Sequence, residues 1–246
     1  MKKRHTRHSP VPPITPARID EHSCPACGAI LPAPIGRLDD IPGQAHLRRA
    51  MTVALTGNHS ITFIGIGASL PDALAFGRIC RRYSLTAYVT TPCICGNAGD
   101  PYLTCQCTPE AIVGWCKRPA FQAALEADLV VEAATTSVEQ RMAHRRGRRG
   151  ETDEQLIAQA AEAHSRPRPT DELDGVGQRL LAAAMRQLQL TTEQVTRVLA
   201  VAQSIAQLAD VPAIGPVQLA EALQYRSRIA AILDVLEPDP DTPKED

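Results

Sequence analysis

Aromatic residues are nearly absent from this chain: three Phe, four Tyr and one Trp among 246 residues. With so few rings, neither a base-stacking platform nor an aromatic sugar cleft is expected. Long apolar runs are missing as well, none approaching the roughly 18 residues that read as a membrane span. The opening "MKKRHTRHSPVPPITPARID" is basic and Pro-rich, without the apolar stretch of a signal peptide. Net charge is low too, since 26 Lys and Arg face 27 Asp and Glu. That balance argues against a wholesale polyanion binder and leaves room only for a local basic patch. The seven histidines fall at no ligand spacing, and no Ser-His-Asp or Cys-His arrangement supports nucleophilic catalysis. These absences leave a cytoplasmic, reduced protein without membrane contact. In that compartment eight cysteines point to metal ligation before disulfides.

Four of those cysteines crowd into "CICGNAGDPYLTCQC". Cys93 and Cys95 form one C-x-C pair and Cys105 and Cys107 another, with Gly, Asn, Asp and Pro between them. Four thiolates brought together across such a turn suit zinc in a closed, structural site. An Fe–S cluster has less specific support, and the bland alternative is four free core thiols. Cys24 and Cys27, in "CPAC", are half of a second zinc knuckle and a weak signal alone. Cys80 and Cys116 read as core thiols.

Hydrophobic periodicity organises the rest. Leu47, Ala50, Met51, Ala54 and Leu55 lie on one helical face stopped by Gly57, and "HSITFIG" reads as a buried strand. Pro71 can open the next helix. Residues 84–90 and 128–132 read as two further strands, with a short helix capped by Thr108 between them. Strand, helix, strand, helix, strand predicts an α/β fold with a small parallel sheet. Four helical stretches follow, one with a Thr191–Gln194 capping box. The expected organisation is a Pro-rich segment over 1–38, an α/β domain over 39–140, a basic hinge and linker helix over 141–170, a C-terminal helical bundle over 171–237, and an acidic tail over 238–246.

Three stretches carry a family resemblance. "TPCICGNAGDPYLTCQCTPEAI" resembles the "NPCPCGYYGDP…CxCTPxxI" segment of Mg-chelatase-like AAA+ ATPases of the ComM/YifB type. "VTRVLAVAQSIAQLADVPAIGPVQLAEALQYR" is similar to their C-terminal helices, and "IPGQAHLRRAMTVALTGNHSITFIG" to their lead-in to the phosphate loop. The resemblance covers roughly residues 39 to 228. It implies an AAA+ fold reduced to three strands in the order 5-1-4, with the cysteine loop as a zinc staple.

The departures from the family pattern gather on one activity. The family's "GPPGSGKT" lands on "GIGASLPD", so Pro71 stands at the lysine position and Asp72 at the magnesium-binding hydroxyl. Only Gly65, Gly67 and Ser69 remain as vestigial nucleotide-binding residues. The Walker B strand is missing, and the sensor asparagine before the first cysteine pair is Thr91. The arginine that reaches a neighbouring subunit's phosphate falls on Glu126, and the helical-domain sensor arginine on Glu193. Loss of an arginine finger alone removes about 10³–10⁵ in rate. Hydrolysis is therefore expected to be lost, there is no catalytic residue to name, and ATP with magnesium is not an expected cofactor; zinc is.

The sequence reading is thus a non-catalytic, zinc-stabilised interaction module. The resemblance implies as partner an intact family ATPase that acts on DNA, or a second copy of the chain. Two alternatives stand beside it. One is an ATP-binding subunit with weak residual nucleotide affinity. The other is a small zinc protein contacting nucleic acid through Arg145, Arg146, Arg148 and Arg149 of "HRRGRRG".

Overall fold

A computed structural model describes residues 37–147 and 149–226. Three parallel strands form the sheet: β1 (Ile61–Gly65), β2 (Ala87–Thr90) and β3 (Leu129–Ala133), with β1 in the centre. All five residues of β1 are buried, as expected for a central parallel strand covered on both faces. Leading into it is α1 (Ala45–Gly57), and α2 (Leu70–Arg82) crosses from β1 to β2. Between β2 and β3 lie the cysteine loop and two short helices, α3 (Pro109–Cys116) and α4 (Pro119–Leu125).

Each crossover has a local cause. Thr108 caps α3 by accepting from the Ala111 amide, and Pro109 and Pro119 sit in first turns where no donor is needed. The stop of α1 differs from expectation. Gly57 is its last helical residue, and the turn is made by Asn58, whose φ of 52° places it in the left-handed region. The second strand starts three residues later than 84. Ser84 has a φ of 63° and the Leu85 amide returns to the Cys80 carbonyl, so those residues complete the exit of α2.

The sheet is packed on two sides. Ile61, Phe63, Ala87, Leu129 and Val131 join the main core with Met51, Val53, Phe76 and Ile79 of α1 and α2. The opposite face is smaller, with Ile64 and Val130 against Cys116 and Phe121 of α3 and α4. The Cys80 thiol lies wholly within the main core, where burial pushes its pKa up to about 12.

Five helices follow β3: α5 (Val138–Arg145), α6 (Asp153–Ser165), α7 (Gly175–Gln187), α8 (Thr192–Leu208) and α9 (Pro216–Gln224). They do not form a bundle set apart from the sheet. Leu156, Val198, Val201, Ala202, Ile205 and Leu219 belong to the same core as α1. Polar stitches reinforce the join. His59 Nε2 meets Ser204 Oγ at 2.8 Å, and the Tyr83 hydroxyl donates to buried Asp153 at 2.9 Å. The Thr191–Gln194 capping box is present at the start of α8. Neither α4 nor α5 was expected from periodicity; α4 spans only seven residues and α5 buries none of its own. Among the described residues no helix is long and apolar enough to cross a membrane.

Candidate metal centre

The strand β2 ends at Thr90 and delivers the chain directly into the cysteine loop. Thr91 anchors the exit, its hydroxyl donating to the Cys93 carbonyl while its own carbonyl accepts from the Trp115 indole at 2.8 Å. Gly96 and Gly99 then adopt φ of 81° and 84°, left-handed conformations that fold the two C-x-C pairs back on each other.

The result brings all four sulfurs of Cys93, Cys95, Cys105 and Cys107 within 4.8 Å of one another. Cys93 lies 3.5 Å from Cys95 and 3.7 Å from Cys105, and Cys95 lies 3.6 Å from Cys105. A tetrahedron of thiolates around zinc, with bonds of about 2.3 Å, places its sulfurs about 3.8 Å apart. The cluster therefore fits a four-coordinate metal such as zinc. The sulfurs differ in surroundings. Cys93 is buried, its sulfur accepts from the Ala98 amide at 3.3 Å, and burial drives its thiol up to about 12. Cys95 is exposed, and the amides of Asn97 and Gln106 pull its thiol down to about 6. Cys116 stays outside the cluster, bonding the Pro92 carbonyl from a buried position.

The cysteine loop also closes on the segment after β1. Gly67, at a φ of 49°, donates its amide to the Gly96 carbonyl at 2.8 Å. A Cβ on Gly67 would overlap the Asp100 carboxylate. Asp100 Oδ1 accepts from the Tyr102 and Leu103 amides at 2.7 Å each, while Oδ2 is shut in without a hydrogen-bond partner. The amides of Tyr102 and Leu103 hold this carboxyl below its ordinary range. Ser69 turns inward, its hydroxyl bonded to both the amide and the carbonyl of Ile66. Of the three vestigial positions, Gly65 packs on Leu70, Gly67 on Asp100, and Ser69 on its own turn.

Asp72 does not face that loop. Its carboxylate accepts from Gln44 Nε2 at 2.8 Å and from the Thr136 hydroxyl at 3.4 Å, and burial raises its pKa. Gln44 in turn holds the end of β3 through the carbonyl and amide of Ala134. Glu126 and Glu193 are also elsewhere. All three strands are parallel, so the connection preceding β3 lies at the opposite end of the sheet from the loop following β1. Five residues of strand separate the two ends, about 16 Å at about 3.3 Å per residue. Glu126 and Glu193 instead share one cation that the sequence reading missed. Arg197 reaches Glu193 at 2.6 Å and Glu126 at 3.5 Å, linking α4 to α8. An i, i+4 relation between Glu193 and Arg197 was the available signal.

The basic cluster is partly engaged. Arg149 pairs with Asp40 at 3.3 Å and touches His144, while Arg145 and Arg146 are exposed at the end of α5. Arg148, Cys24 and Cys27 lie outside the described residues.

The molecule is therefore an α/β protein with a three-stranded parallel sheet, a four-cysteine cluster on the loop after β2, and helices that join the same core. Residues 127–226 match the family described as magnesium chelatase, subunit ChlI C-terminal. Over those residues the chain is Mg-chelatase-like, in agreement with the sequence resemblance. No curated protein matches the chain. The matched stretch begins just before β3, so the cysteine cluster and the loop after β1 fall outside it.

Proposed function

We propose that this chain is a non-catalytic, Mg-chelatase-like AAA+ pseudo-ATPase acting as a zinc-stabilised interaction module, with a DNA-acting AAA+ motor as partner. The observation that carries this reading is the occupation of the loop after β1 by the chain itself. A phosphate-binding loop works by presenting free backbone amides and a lysine to an anion. Here the Gly67 amide is already bonded to Gly96, and a carboxylate, Asp100, sits against Gly67. Pro71 lacks the amide its position would offer at the start of α2. Each of these removes a donor or adds repulsion where a triphosphate would have to sit.

Zinc would be held by Cys93, Cys95, Cys105 and Cys107, with no open position for water. Its contribution is structural: it ties the ends of the loop that seats Gly96 and Asp100. The sheet edge at β2 is the surface left for a partner. Tyr88 on that strand and Ile94, Tyr102 and Leu103 on the loop are exposed apolar side chains.

Titration with a fluorescent ATP analogue, in low salt with magnesium, tests the reading. No saturable binding is expected tighter than about 1 mM, near −4 kcal/mol. Micromolar binding, or turnover that persists after contaminating ATPases are removed, refutes it and favours the ATP-binding alternative. The nucleic-acid alternative draws on exposed Arg145 and Arg146 and is tested separately by the salt dependence of DNA binding.

A further inference from the structure

The four sulfurs of the cluster are not equivalent, and their differences bear on chemistry that a closed structural site does not require. Cys93 is buried and its sulfur already accepts an amide hydrogen bond. Both features lower its reactivity toward an electrophile. Cys95 is exposed to solvent. Cys105 is half-buried and lies 3.6 Å from Cys95, close enough to respond without rearrangement of the turn. Cys93 is equally near Cys95, but those two are only two residues apart, and a disulfide across one intervening residue closes a small, strained ring. A bond from Cys95 to Cys105 spans the glycine-containing turn instead.

We propose that Cys95 is an oxidation site for small hydroperoxides and that Cys105 is its resolving partner, so that peroxide expels the metal. The inference rests on the metal-centre reading above. In the first step the Cys95 thiolate attacks a peroxide oxygen; an S–O bond forms, the O–O bond breaks, and hydroxide leaves, giving a sulfenic acid. In the second the Cys105 thiolate attacks the Cys95 sulfur; an S–S bond forms, the S–O bond breaks, and a second hydroxide leaves. Two sulfurs lose two electrons in total, and one hydrogen peroxide is reduced to two hydroxides, which take up protons as water. With Cys95 and Cys105 joined, only Cys93 and Cys107 would remain to hold a metal, and a divalent cation bound there would be released. With it goes one anchor of the turn that holds Gly96 and Asp100 against Gly67.

The test uses the full chain loaded with zinc and treated with graded hydrogen peroxide. Released zinc is read with a colorimetric chelator, and disulfides are mapped by mass spectrometry of non-reduced peptides. One zinc released per Cys95–Cys105 disulfide is expected, about tenfold or more ahead of any oxidation of buried Cys116 in the same sample. Dithiothreitol followed by zinc should restore the starting state, and Cys116→Ser should behave as the parent chain. Retention of zinc in excess peroxide overturns the proposal, as does a dominant disulfide involving Cys93 or Cys107. A chain that binds no zinc at all sinks the metal-centre reading together with this one. A chain that binds zinc and keeps it in peroxide sinks only the oxidation site.

Discussion

Removing the metal should weaken this protein without unfolding it, and the size of the loss follows from the loop it closes. A metal bound by Cys93, Cys95, Cys105 and Cys107 acts as a cross-link between chain positions that are far apart in the unfolded state. Constraining a loop of about 15 residues, the span from Cys93 to Cys107, is worth about 3 kcal/mol in the chain-entropy description of cross-links. Against a typical domain stability of about 5–15 kcal/mol, that is a substantial fraction but not the whole. The main core supports this limit, because it is built from α1, α2, the sheet and α6 to α9 and includes none of the four cysteines. For a chain of this size each kcal/mol moves Tm by about 2–4 °C, so stripping the metal should lower Tm by about 6–12 °C. The single tryptophan is a local reporter, since the Trp115 indole bonds the Thr91 carbonyl two residues before Cys93. Metal analysis should find about one zinc per chain before chelation, with Trp115 emission changing on removal and far-ultraviolet dichroism nearly unchanged. A preparation that has lost an equivalent of metal with no shift in Tm would refute the cross-link reasoning. Complete unfolding on chelation would show instead that the core does not stand alone.

Buried His59 predicts an acid-sensitive join between β1 and α8. Burial, with Arg168 nearby, depresses its pKa below the ordinary value, while Asp128 opposes the shift and His164 lines the same cavity. The unfolded chain binds a proton that the folded chain resists, so stability is full above about pH 6.5 and falls as pH drops below it. His59→Gln should flatten that slope in urea titrations run from pH 7.5 to 5. Gly67→Ala should destabilise by about 1–3 kcal/mol, because the left-handed backbone disfavours a side chain and the new methyl would meet Asp100; an unchanged urea midpoint would contradict the docking of the cysteine loop. Arg197→Ala should lose no more than about 1 kcal/mol, and the loss should shrink in high salt, since Glu126 and Glu193 are largely exposed. If Arg145 and Arg146 contact nucleic acid, converting both to Gln should reduce the salt slope of DNA binding by about 2; binding without a salt slope would leave them as solvated charges.

Local patterns were legible in the sequence because their causes are local. The apolar spacing of α1, the capping box of α8, the cap at Thr108 and the paired C-x-C motifs all depend on residues within a few positions of each other. The alternation of strands and helices fixed a parallel sheet, and the C-x-C spacing pointed to a four-sulfur site that the fold assembles. Short or unburied helices escaped, since α4 is only seven residues and α5 buries no side chain, leaving periodicity little to reveal.

What only the tertiary structure decided was where the altered residues point and what they touch. Read in one dimension, Pro71, Asp72, Glu126 and Glu193 were related only as departures from the family pattern that gather on one activity. In three dimensions Asp72 is bonded to Gln44 and Thr136, and Glu126 and Glu193 clasp Arg197 at the far end of the sheet. The carboxylate that does meet the loop is Asp100, delivered by a turn some thirty residues downstream. Sequence spacing sets which residues share a helix face or a turn; it carries no information on which distant turn will lie beside which strand. Parallel pairing of β1 with β2 and β3, and burial of both faces of β1, set that juxtaposition, because the backbone must satisfy its hydrogen bonds and its apolar side chains must leave water at the same time.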